Sequence, residues 1–167
     1  MALASIASIT FTRPENTTAY TGGDVIGIAA STPANAGSAI HELTNAASSG
    51  AFVFVQSIQL IIGAASVPSG LAGFRVHLYS AAPTAILDNA AYTFVAGDAP
   101  AWQDTFDLNT PAVRGSLLRS NQSYQGGVLK LAPASSSLFA VLETSGGFTP
   151  ASATAFTLRV KLLEAGF

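Results

Sequence analysis

Late in the sequence Phe156, Leu158, Val160 and Leu162 alternate with Thr157, Arg159 and Lys161. A two-residue period suits a β-strand and not a helix, whose apolar positions recur every three to four residues. One face of this segment is wholly apolar and the other carries both cations, as in a strand half-buried in an antiparallel sheet. Phe74, Val76 and Leu78 alternate in the same way with Arg75, His77 and Tyr79. The segment Phe52 to Ile62 is apolar at its even positions except Gln56, and largely apolar at the odd ones (Val53, Val55, Ile61). It predicts a strand covered on both faces, either central in a sheet or lying under a neighbouring subunit. The expected core sets Phe156, Leu158, Val160 and Leu162 against Phe52, Phe54 and Phe74 or their neighbours. Shorter strands are predicted at Ile6 to Phe11, Asp24 to Ile28, Val128 to Leu131 and Leu138 to Glu143.

Turn chemistry separates these runs. Gly22-Gly23, Ser48-Ser49-Gly50, Pro68-Ser69-Gly70, Asn109-Thr110-Pro111, Gly126-Gly127 and Ser145-Gly146-Gly147 each supply a preset or positive φ that stops a strand. Asp98 followed by Pro100 predicts one short helical turn through Trp102, and the small residues from Ala29 to Gly37 predict a surface loop. No repeat or linker divides the sequence. Many short strands punctuated in this way predict one all-β domain over residues 1–167, an antiparallel β-sandwich of jelly-roll type. At 167 residues such a domain buries roughly 70% of its unfolded surface and needs no staple.

Only 10% of the residues are charged, against a usual share of about 25%. A surface of hydroxyl and amide groups desolvates cheaply when pressed against another protein, so an attachment resting on apolar burial and indifferent to salt is expected. The seven basic residues are scattered along the chain, which predicts no nucleic-acid partner. The absence of cysteine removes disulfides, thiolate metal sites and thiol nucleophiles together. No apolar run approaches a membrane span, and Met1 to Phe11 lacks the charged and apolar regions of a signal peptide. Folding in a cytoplasm is expected, with any later location reached by assembly.

Candidate chemistry is sparse. His41 beside Glu42 has the composition of a base with an orienting carboxylate, yet adjacent strand residues point to opposite faces. His77 lies on the polar face of its strand. Asp88, Asp98, Asp104 and Asp107 cluster in the middle of the chain without the spacing of a calcium loop, which assigns them turn and capping duties. No G-x-S-x-G elbow and no phosphate-cradling glycine motif is present. No catalytic residue, cofactor or metal site is assigned, and the chain reads as a non-enzyme. Trp102, Tyr92 and Tyr124 are the residues that would build an aromatic platform for a sugar ring, although aromatics more often fill cores. The sequons at Asn16 and Asn121 matter only in a secreted eukaryotic chain.

Several phrases carry a resemblance. Ile9-Thr10-Phe11-Thr12-Arg13-Pro14 leads into Thr17-Thr18-Ala19-Tyr20-Thr21-Gly22-Gly23-Asp24-Val25-Ile26-Gly27. Then follow His77-Leu78-Tyr79-Ser80-Ala81-Ala82-Pro83-Thr84, Asp88-Asn89-Ala90-Ala91, Leu138-Phe139-Ala140-Val141-Leu142 and Phe148-Thr149-Pro150. Together they resemble the small virion proteins of tailed bacteriophages. The resemblance implies a capsid decoration or cementing role on the virion surface, assembled in the bacterial host's cytoplasm, with the major capsid protein as partner. It carries over no functional residue and leaves a tail or baseplate place open. The two-faced strand at Phe52 to Ile62 and the apolar Ala165-Gly166-Phe167 predict self-association, as a homotrimer or another oligomer. The alternative from a different class is a carbohydrate-binding module.

Overall fold

A computed structural model describes residues 3–29 and 37–165, without the side chains of residues 125 and 126. Most of the expected loop, residues 30–36, and the terminal Gly166 and Phe167 lie outside the described residues. The strands are β1 (Leu3–Thr12), β2 (Ile40–Leu43), β3 (Phe52–Ile62), β4 (Gly73–Tyr79), β5 (Trp102–Asn109), β6 (Ala112–Arg114), β7 (Leu117–Lys130), β8 (Leu138–Thr144) and β9 (Ala155–Glu164). They form a five-stranded sheet in the order β1-β9-β3-β7-β6 and a four-stranded sheet in the order β2-β8-β4-β5. All pairings are antiparallel.

The pairings β1 with β9, β2 with β8, β3 with β7 and β4 with β5 are those of one long hairpin folded at β4–β5. Rolled up so that successive pairs of that hairpin fall in alternate sheets, it is a jelly roll. The fold is therefore the expected antiparallel sandwich, with β6 added at one edge. Between the sheets lies a core that includes Val53, Val55, Ile58, Leu60, Phe74, Val76, Leu78, Phe156, Leu158, Val160 and Leu162.

In β9 the alternation holds as expected, with Arg159 and Lys161 outward. In β3 it does not. The register slips between Val55 and Ser57 against both neighbouring strands, so Gln56 is the extra residue of a β-bulge. Before the bulge the odd residues Val53 and Val55 face the core; after it the even residues Ile58, Leu60 and Ile62 do. Phe52 and Phe54, expected inside, point outward at 39% and 38% exposure. The strand appeared apolar on both faces because its inward set changes parity half-way along.

This register has a direct check. Val55→Ala removes buried methyls and is expected to cost roughly 2 kcal/mol. Phe54→Ala, although it removes far more carbon, is expected to cost no more than about 1 kcal/mol. Urea denaturation of both variants in which Phe54→Ala proved the more costly would show the bulge misplaced.

β4 also departs from its pattern. His77 and Tyr79 alternate with core residues but are 5% and 2% exposed, because residues between β4 and β5 fold back over the outer face of the four-stranded sheet. Tyr92 from that crossing lies flat on His77, with ring centroids 3.8 Å apart, and its hydroxyl meets that of Tyr79 at 2.6 Å. A small second core of Val25, Ala39, Tyr79 and Val141 forms beneath the crossing. The expected helical turn is displaced: a single 3-10 turn spans Ala96–Asp98, and Trp102 already opens β5. The segment Asp24 to Ile28 forms isolated bridges to Ala91 and Glu143 rather than a strand.

Candidate interaction surfaces

His41 is completely buried on β2, stacked on Phe11 at 3.9 Å. Its Nε2 lies 2.9 Å from the Ile26 carbonyl, so that nitrogen carries the proton and donates. Nδ1 is buried without a partner. Burial pushes its pKa down to about 4, against a smaller raising effect from the Ile26 carbonyl. Glu42 faces the other way, as its position beside His41 requires, and accepts from the Ser137 hydroxyl at 2.8 Å. The two form no dyad.

His77 contacts Glu143 at 2.6 Å through Nε2 and the Thr105 hydroxyl at 2.8 Å through Nδ1. Burial lowers its pKa, with Glu143 acting in the opposite direction. Arg75 donates to the other Glu143 oxygen at 3.2 Å and to Asp107 at 3.1 Å. A hydroxyl, an imidazole and a carboxylate in sequence have the connectivity of a hydrolytic relay. Beside it, however, stand the rings of Tyr92, Phe94 and Trp102, which offer no pair of N–H groups to receive an oxyanion.

The four aspartates occupy separate structural posts. Asp98 accepts from the Thr84 backbone N–H and hydroxyl, Asp104 from the Thr105 N–H, and Asp107 pairs with Arg75. Asp88 sits in a buried network that joins the phrases behind the virion resemblance. It accepts from the Tyr20 hydroxyl at 2.6 Å and from the Gly27 N–H at 2.7 Å. Arg13, completely buried, donates to the Tyr20 hydroxyl at 3.1 Å and to the Asn16 side chain at 2.9 Å, with Asp88 3.9 Å away. A Cβ on Gly27 would lie 2.4 Å from the Gly37 carbonyl oxygen and 2.6 Å from the Asp88 Cβ, so only glycine allows this approach. Among the described residues no group of three or more metal-ligating side chains occurs, and none of their helices is long and apolar enough to cross a membrane.

Two outer surfaces remain. Over the four-stranded sheet, Tyr92, Phe94 and Trp102 line an open groove of about 320 Å³ with His77 and Thr105 at its floor. Phe94 and Trp102 meet edge to face at 6.0 Å. The fold thus brings together two of the three residues expected to form an aromatic platform and adds Phe94. Tyr124 is elsewhere, packed edge-on against Phe106.

The other surface is the uncovered outer face of the five-stranded sheet. At one end Ile6, Phe54 and Val128 are 64%, 38% and 53% exposed. Beside them Arg119, Arg159 and Lys161 line a shallow basin of about 350 Å³ with Ser57, Gln59 and Asn121. Lys130 lies on this face over the Phe52 ring, and Arg114 stands at its edge on β6. Five of the seven basic residues are therefore gathered on one side of the molecule, and none of the five is in an ion pair among the described residues. This corrects the expectation of scattered cations, and it removes the premise for salt-indifferent attachment.

No protein-family model matches the chain, and no curated protein matches it. Among solved structures the chain is similar to one described as "Capsid of Ralstonia phage GP4", at 13% identity and a TM-score of 0.43, over 100% of this chain and 86% of that one. It is similar to a Broad Bean Stain Virus structure at 15% identity and a TM-score of 0.37, over 98% and 90%. A Cocksfoot mottle virus structure gives 10% identity and a TM-score of 0.38, over 99% and 84%. The jelly-roll assignment rests on the strand order of this chain.

Proposed function

We propose that this chain is a non-enzymatic structural protein of a virion. Its single sandwich domain, residues 1–167, decorates the outside of a tailed-phage head and bridges neighbouring major capsid subunits. The observation that carries the reading is the uncovered face of the five-stranded sheet. There Ile6, Phe54 and Val128 stand exposed beside cations without a carboxylate partner among the described residues, and exposed apolar surface of this kind is what a protein contact buries. The jelly roll supports the role physically, because the crossing between β4 and β5 covers part of one sheet while the outer face of the other is left for neighbours.

The test is co-sedimentation of the purified protein with heads built from the major capsid protein. The protein is expected to pellet with heads, and Phe54→Glu with Val128→Glu to abolish pelleting while leaving the fold intact. Binding confined to tails, or binding unaffected by that pair, would overturn the reading.

The aromatic groove supports a second reading, a carbohydrate-binding site in which Trp102 and Tyr92 stack on a sugar ring. On that reading polysaccharide retains the protein and oligosaccharide changes Trp102 fluorescence. Retention unchanged by Trp102→Ala would remove it.

A further inference from the structure

We infer that the outer face of the five-stranded sheet docks onto the outer face of the four-stranded sheet of a second copy, so that copies associate head to tail. The two faces are complementary in charge. Arg119, Lys130, Arg159 and Lys161 on the first have no carboxylate partner among the described residues. The second carries Glu42, Asp98 and Asp107, of which Asp107 is 82% exposed at its side chain; Arg75 is the cation set among them, and Glu143 beneath is buried and held by Arg75 and His77.

The two faces are also alike in layout. Each sets an apolar patch beside exposed charge: Ile6, Phe54 and Val128 beside Lys161 and Arg159 on one, and Tyr92, Phe94 and Trp102 beside Asp107 on the other. Seating one on the other sets apolar against apolar and cation against carboxylate. A flat basin floored by Ser57, Gln59 and Asn121 loses little on desolvation, since those groups are neutral. A polyanion would engage the cations but would leave Phe54, Ile6 and Val128 in water.

A head-to-tail contact uses two different patches on each copy and builds a ring or a row. The homotrimer expected from the sequence is one such ring, since a threefold assembly also needs two distinct patches per copy. This contact rests on the same face that the proposed function gives to the head, so on any one copy the two contacts exclude each other: a copy seated on a head offers only its four-stranded face to the next, and the test in solution, without heads, lets each reading fail alone.

The experiment uses two variants, each confirmed folded by its cooperative melt. Arg159→Glu with Lys161→Glu destroys the cationic face; Glu42→Lys with Asp107→Lys destroys the acidic face. By sedimentation velocity the parent is expected to associate with rising concentration, less so as sodium chloride rises from about 0.1 to about 1 M and the Debye length shrinks. Each variant alone is expected to associate at least about tenfold more weakly, the scale on which close charge pairs set affinity. Their equimolar mixture is expected to recover the parent's association, because an intact cationic face meets an intact acidic face at one contact and the two reversed faces, glutamates against lysines, meet at the next. A parent that stays monomeric, a mixture that stays monomeric, or an acidic-face variant that associates like the parent would each overturn the inference. Retention of a monomeric parent on heparin, lost in the Arg159→Glu and Lys161→Glu variant, would assign the cationic face to polyanions instead.

Discussion

Arg13→Met is expected to destabilise the protein by about 3–5 kcal/mol, the usual result of removing one member of a buried charge pair. Arg13 is completely buried and its guanidinium serves four partners: the Tyr20 hydroxyl, the Asn16 carbonyl and side chain, and the Ala151 carbonyl. It is also the cation nearest Asp88, whose side chain is 9% exposed. Methionine fills the volume but leaves the carboxylate uncompensated and several acceptors unfilled. Three stretches of chain are pinned here, around Arg13, Tyr20 to Gly27, and Asp88, so the loss spreads into the crossing that covers His77. Denaturant unfolding measures the change. Adding Asp88→Asn to Arg13→Met is expected to recover part of it by removing the stranded charge. A loss under about 1 kcal/mol for Arg13→Met would show that the guanidinium contributes only packing.

Acidification is expected to remove about 3 kcal/mol of stability through His41 alone. Its pKa is about 4 in the folded protein, against about 6.5 in an unfolded chain. Between those values the unfolded state binds the proton and the folded state does not, so stability falls as the pH falls. The loss begins below about pH 6.5 and levels off below about pH 4. The structural cause is plain: protonated Nδ1 would be a buried N–H with no acceptor, in a ring stacked on Phe11. His77, also lowered by burial, adds to the same trend. Urea unfolding at pH 7 and pH 4 gives the difference. His41→Gln keeps a donor for the Ile26 carbonyl but cannot titrate in this range, so its pH dependence is expected to be flatter by about 3 kcal/mol. An unchanged slope would mean that His41 is neutral for no energetic reason.

β9 could be read residue by residue because its alternation is unbroken and both its neighbours, β1 and β3, lie in its own sheet. β5 could not. Trp-Gln-Asp-Thr-Phe-Asp-Leu-Asn has core contacts only at Phe106 and Leu108, too few to show a period. The strand exists because β4 pairs along its length. β7 was legible only at Val128 to Leu131, since Leu117 to Gly127 is rich in Ser, Asn, Gln and Gly and is held by its ladder to β3. The aromatic platform was half legible: Trp102 and Tyr92 were visible as residue types, and Phe94 was missed because a loop residue carries no periodic signal.

The sequence by itself determined what is local. Two-residue alternation and regularly spaced turn residues required short antiparallel strands in a sandwich, and the lack of cysteine left stability to the core. Tertiary structure decided everything that depends on register between distant strands. The bulge at Gln56 turned Phe52 and Phe54 outward, because a strand's parity is set by its partners as much as by its own pattern. Arg13, Tyr20, Gly27 and Asp88 became one network only when segments far apart in the chain met. Arg114, Arg119, Lys130, Arg159 and Lys161, dispersed in sequence, came to share one side of the molecule because β6, β7 and β9 lie in the same sheet. Charge counted along a chain is blind to such gathering, since the fields of charges add through space and not along the sequence.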